Sequence, residues 1–187
     1  MLLLNKLKEK IIYKQPHQPG FTLVEMLASL FIFVLITSLF LANYHDANER
    51  NKLILAAQEM VSNIRLAQSY ALGTEQFISG DIPRGGWGVR FDKGAANYII
   101  FADDDINQYD YDAGEDYKII NLPNGVIIDD IDLDIYANIV FSPPEPVTYI
   151  NYSGTNNDKV EITLKNNKDN TTKKVLVNFF GLVDVVD

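Results

Sequence analysis

Two groups of acidic residues in this chain have types and spacings that could do chemistry. The first is Glu25, the only charge in the 22-residue apolar run from Phe21 to Ala42. A charge at the centre of a membrane helix costs roughly 2.5–3.5 kcal/mol on insertion scales, so one retained there has a task or a partner. Thr22 and Glu25 also spell S/T-x-x-E, the capping box that starts a helix by satisfying its first N–H groups. The second group is the loop Asp103, Asp105, Asn107, Asp110, Asp112 and Glu115. Its first three members stand at positions 1, 3 and 5 of a D-x-[DN]-x-[DN] string. Tyr109 would add a backbone carbonyl, and Asp110, Asp112 or Glu115 would close the shell. Hard oxygens on a loop suit Ca²⁺, which takes about 6–8 of them. Gln108 stands where that loop form wants glycine, and Glu115 lies one residue past the expected glutamate. The alternative is a solvated acidic loop.

Enzymatic chemistry has little to work with. The chain has no cysteine and two histidines, one of them within the first 20 residues. That rules out a thiol nucleophile and a cysteine-held metal, and leaves too few imidazoles for a histidine zinc site or a Ser-His-Asp triad. There is no phosphate-binding glycine loop. We expect no enzyme and no required cofactor, with calcium as the one candidate ion.

The elements that must position these residues follow from length and periodicity. An apolar run from Phe21 to Ala42 is long enough to cross a bilayer, which needs about 20 residues. A secretory signal peptide would place a small-residue cleavage site after its apolar core, whereas Phe40-Leu41-Ala42 puts a bulky residue there. Of the formal net charge of -9, the first 20 residues contribute +3, leaving -12 for the rest. A basic flank before the span predicts an N-in, C-out, single-pass topology. An acidic outer part disfavours nucleic acid as a partner. Beyond the span, Leu53, Ala56, Ala57, Met60, Val61, Ile64, Ala67 and Ala71 keep helical spacing, while Asn48, Glu49, Arg50, Lys52, Glu59, Asn63 and Gln68 fall on the opposite side. No Pro or Gly interrupts Phe21–Leu72, and Gly73 is a C-cap. A continuous helix of that length would run about 78 Å.

After Gly73 the pattern becomes short extended runs: 88–91, 98–102, 117–120, 126–131, 139–141, 147–152, 159–164, 174–180 and 182–185. They are separated by Pro83-Arg84-Gly85-Gly86, Asp92-Lys93-Gly94, Pro123-Asn124-Gly125, the prolines at 143–146 and the Asn/Lys turn at 166–170. The fold class expected is α+β, with a long N-terminal helix packed on an antiparallel β-rich domain. Trp87 reads either as a core anchor or as a binding aromatic. Lys165, Lys168, Lys173 and Lys174 form the only basic cluster outside the leader. They read either as a DNA patch or as a solvated hairpin turn.

Pro19-Gly20-Phe21-Thr22-Leu23-Val24-Glu25-Met26, followed by the apolar run, resembles the prepilin signal of the type IV pilin and type II secretion pseudopilin superfamily. Gly86-Trp87-Gly88-Val89, Tyr98–Phe101 with its Asp/Asn loop, Gly114-Glu115 and Phe141-Ser142-Pro143 resemble one branch of it, the H-type minor pseudopilins and FimT-like minor pilins. The resemblance implies a pilin fold with a cytoplasmic leader (1–20), a membrane and polymerisation helix (21–42), its amphipathic continuation (43–73) and a β-rich outer domain (74–187). It implies cleavage between Gly20 and Phe21 by a prepilin peptidase and N-methylation of Phe21. Glu25, with Thr22 beside it, would guide assembly by meeting a neighbouring subunit's N-terminal amine. The partners implied are other pilin subunits, the peptidase, the inner-membrane assembly platform and the membrane. Location would pass from inner-membrane precursor to periplasmic or surface filament. The alternatives are a DNA-capturing minor pilin and a tethered β domain that never polymerises.

Overall fold

The structure is a computed structural model that describes residues 20–77, 80–105, 109–143 and 147–186, with backbone alone over 42–47. Residues 1–19 of the leader, and Asn107, lie outside the described residues. The chain forms two compact units, Met1–Ala42 and Asn43–Asp187. One α-helix, α1 (Leu23–Gly73, 51 residues), supplies the described part of the first unit and opens the second.

In the first unit the helix is apolar and exposed throughout. Leu23–Leu41 is long and apolar enough to cross a membrane. An exposed apolar surface of this kind suits lipid or other helices.

The second unit is α+β. Its strands are β1 (Gly86–Asp92), β2 (Asn97–Asp103), β3 (Asp116–Asn121), β4 (Val126–Ile131), β5 (Tyr136–Ser142), β6 (Val147–Ile150), β7 (Lys159–Asn166), β8 (Thr172–Asn178) and β9 (Val183–Val186). Nine runs were expected and, among the described residues, nine strands form, in two antiparallel sheets ordered β3-β2-β1-β5-β6 and β4-β7-β8-β9. The β1–β2 turn bridges them. Gly94 N–H donates to the Ile128 carbonyl at 2.7 Å, and Ile128 N–H to the Ala95 carbonyl at 2.9 Å. The strand expected over 174–180 ends at Asn178. Phe179 and Phe180 form a turn instead, because Asn178 uses its side-chain oxygen to cap the N–H groups of Phe180 and Leu182.

All eight helix residues assigned to the apolar face are buried, in one core with the inward residues of both sheets. Trp87 lies in that core against Tyr70, Phe77 and Tyr117, its Nε1–H donating to the Glu75 carbonyl at 3.3 Å. The core reading of Trp87 is the correct one.

Several polar helix residues reach the domain, Asn63 and Glu49 among them. Asn63 donates from Nδ2 to the Tyr98 hydroxyl at 2.7 Å. Glu49 is only 3 % exposed. Its Oε1 accepts from Lys52 Nζ at 2.7 Å and from Lys168 Nζ at 3.1 Å, while Oε2 accepts from Asn166 Nδ2 at 3.2 Å. Lys52, then Lys168 and Asn166, hold the carboxyl down to about 2. The periodicity put Glu49 on the solvent side. The β7–β8 turn draws it in, because a buried carboxylate is tolerated when several donors surround it.

Candidate functional site: the helix start and the acidic loop

Gly20 and Phe21 precede the helix, and both are exposed. The capping box expected at Thr22 and Glu25 is fully formed. Thr22 N–H donates to Glu25 Oε2 at 2.9 Å, Thr22 Oγ1–H to the same oxygen at 2.8 Å, and Glu25 N–H to Thr22 Oγ1 at 3.2 Å. The box satisfies donors that a helix start leaves orphaned. It also gives the carboxylate two donors where the apolar run supplies none. The arrangement starts the helix immediately behind the exposed Gly20-Phe21 pair.

The acidic loop is not a free, solvated excursion. Its described part, from Tyr109 to Glu115, lies across the face of the five-stranded sheet that points away from the core. Phe101 and Val140 are on that face and fully buried, outside the core cluster. Tyr109 stacks on Tyr149 at 3.6 Å and 5°, with Tyr152 edge-on. Asp110 accepts from Asn138 Nδ2, and Tyr111 meets Phe101 edge to face at 5.4 Å. Arg90 sits 5.0 Å from the Tyr111 ring and 4.9 Å from that of Tyr136, held by Asp92 at 2.8 Å. Gly88 makes room for this layer, since a Cβ there would come within 2.4 Å of Phe101 Cζ. The sequence singles out Tyr109 only for its backbone carbonyl and does not single out Tyr111. Tyr109 and Tyr111 are the loop's anchors on the sheet, and Asp110 between them is tied to the same face through Asn138.

The acids themselves are largely committed to the backbone. Glu115 accepts from Asp104 N–H at 3.1 Å and from Asp112 N–H at 2.8 Å, one on each oxygen. Asp103 Oδ1 accepts from Asp105 N–H at 2.9 Å, and Asp110 Oδ1 from Tyr111 N–H at 2.8 Å. Asp103 is 0 % exposed, and its Oδ2 has no hydrogen-bond partner. Burial first, then the charges of Glu115, Asp105 and Asp112, push it up to about 7. Glu115 is raised too, chiefly by burial. Asp104, Asp105, Asp112 and Glu115 line a cleft of about 450 Å³ with Phe77, Asp81 and Pro83. Among the described residues no three carboxylate or imidazole groups converge in a way that could hold a metal ion. The geometry brings Asp103, Asp105, Asp112 and Glu115 into one electrostatic neighbourhood, and it ties Asp110 to the sheet instead.

The basic cluster is spoken for as well. Lys165 pairs with Asp129 at 3.7 Å, Lys168 with Glu49 at 3.1 Å and Lys174 with Glu161 at 2.7 Å.

Comparison with known proteins adds one match. Residues 16–41 fit the family model described as the prokaryotic N-terminal methylation motif. That family is a structural motif and not an enzyme family. No curated protein and no solved structure matches the chain. An apolar first helix that carries this motif supports a type IV pilin-like, membrane-anchored precursor.

Proposed function

We propose that this chain is a minor pilin or pseudopilin, cut between Gly20 and Phe21, methylated on Phe21, and built into a filament through its apolar helix. The observation that carries this reading is the Thr22–Glu25 box at the head of an exposed apolar helix, directly behind Gly20-Phe21. In the monomer Glu25 is satisfied by its own Thr22. In a filament a neighbour's ammonium is a stronger partner for a carboxylate in hydrocarbon, and exchanging one for the other sets the axial position of the subunit. The paired lysines of the β7–β8 hairpin and the net charge of -12 beyond residue 20 support a structural subunit over a DNA-capturing one.

Glu25→Ala keeps an apolar, helix-forming residue and removes only the carboxylate. We expect the leader to be removed normally and the protein to remain in the membrane. Its yield in sheared filaments should fall at least about tenfold, the factor that follows from losing 1.4 kcal/mol of interaction. Equal yields of Glu25→Ala and wild type would overturn the assembly role.

A further inference from the structure

We propose that Tyr109 and Tyr149 are a site of oxidative cross-linking, where a peroxide-driven one-electron oxidant joins the two rings into dityrosine and staples the acidic loop to β6. The inference stands on the outer domain alone and holds whether or not the chain polymerises. The two rings lie 3.6 Å apart between centroids and 5° from parallel. Among the described residues, every other pair of tyrosines in ring contact meets edge-on, at 83° for Tyr70 with Tyr117, 84° for Tyr109 with Tyr152 and 79° for Tyr149 with Tyr152. Ring quadrupoles prefer offset or edge-on contacts to a face-to-face sandwich, so the fold, and not ring attraction, sets this geometry. Tyr149 stands on β6 opposite Val140, on the outward face of the sheet. Tyr109 takes φ 51°, backbone space that a bulky residue rarely enters, and the next residue, Asp110, is tied to Asn138 on that same face. The hydroxyl ends of the stack lie together: the Tyr109 hydroxyl, then burial, push the Tyr149 phenol up to about 12.

Loss of one electron and one proton from a phenol leaves a radical spread over the oxygen and the ring carbons ortho and para to it. The para carbon carries the side chain, so coupling falls to an ortho carbon. The unpaired electron occupies a π orbital that projects from the ring face. Two such radicals couple face to face, and a parallel stack with its hydroxyls together already apposes the ortho carbons that bond. Each joined carbon then loses its hydrogen as a proton while its own oxygen gains one, and both rings are aromatic again. Across the pair, two electrons and two protons leave, and they reduce one hydrogen peroxide to two waters. Tyr152 touches both rings but meets each edge-on, where π orbitals do not overlap in this way. Tyr109 and Tyr149 are half-buried, so an external oxidant reaches them. The chain has no cysteine, so a covalent tie in its outer domain has no disulfide to use.

Mass spectrometry of the full-length protein, dilute in detergent and treated with a haem peroxidase and hydrogen peroxide, tests this. The expected product is a monomer two hydrogen atoms lighter, whose digest holds a linked pair of peptides with the bond between Tyr109 and Tyr149. Tyr109→Phe and Tyr149→Phe each keep a ring in place and should lower the linked monomer at least about a hundredfold, the factor that losing a positioned partner costs. Tyr152→Phe should leave its yield unchanged, and denaturant should abolish it. A bond through Tyr152 or any other tyrosine, bonds between molecules alone, or no loss of hydrogen under conditions that couple free tyrosine would overturn the proposal. Equal yields from native and denatured protein would overturn it too, because the fold would then contribute nothing.

Discussion

Replacing Asp103 with asparagine is expected to stabilise the protein at pH 8 by about 2–4 kcal/mol and to change little at pH 4. Asp103 is fully buried, and one carboxyl oxygen has no partner. Both features favour the neutral form, as do Glu115, Asp105 and Asp112 nearby, and together they push the group from 3.8 up to about 7. A raised carboxyl pKa means the native state holds its proton where the unfolded chain has lost it. Its contribution is fully present below about pH 4, declines as pH rises through 4 to 7, and is gone above 7. Glu115 is shifted the same way and steepens the fall. Asparagine keeps the oxygen that accepts from Asp105 N–H and carries no charge at any pH. Urea unfolding of wild type and Asp103→Asn at pH 4 and pH 8 measures this. Parallel losses of stability in both proteins between the two values would show that Asp103 is not the titrating group.

Gly86→Ala is expected to cost about 2–6 kcal/mol, made up of 1–3 from backbone strain and 1–3 from overpacking. At φ 119° Gly86 occupies backbone space that side chains rarely enter. A Cβ there would lie 2.1 Å from the Phe141 carbonyl oxygen, on the neighbouring strand at the centre of the sheet. Nothing at that point is the yielding end of a side chain, so β1 and β5 must separate or the strand must slip. Loss of that size lowers a melting temperature by roughly 4–24 °C in a protein of this length. Gly94→Ala is the control. It has φ 81° but no atom within 4 Å of its would-be Cβ, so it should carry the strain alone, about 1–2 kcal/mol. Equal melting temperatures for the two variants would show that the Phe141 contact does not matter.

What could be read from the sequence divides along physical lines. The helix register was legible because burial recurs at 3.6-residue spacing, and Leu53 through Ala71 fell where the period put them. Glu49 broke the rule, since its burial depends on Lys168 and Asn166, more than a hundred residues away in sequence and brought to it only by the β7–β8 turn. Strand positions were legible from β-branched runs between turn residues. Their division into two sheets was not, because pairing partners such as β1 with β5 are set by long-range register. The capping box at Thr22 and Glu25 was fully legible, being local. The acidic loop was the hardest case. Its composition says solvent or cation, whereas its fold is decided by Tyr109 and Tyr111 seating on a face that Gly88 leaves open. Asn138, Tyr149 and Arg90, the residues that receive it, carry no signal of that role in the sequence.

The central claim, that this is a processed filament subunit, is tested most directly by mass spectrometry of the intact protein from membranes and from sheared filaments. The account predicts one mature species beginning at Phe21, heavier than the unmodified chain by a single methyl group, and present in both fractions. A protein that retains residues 1–20, or one cut beyond Ala42, would contradict it.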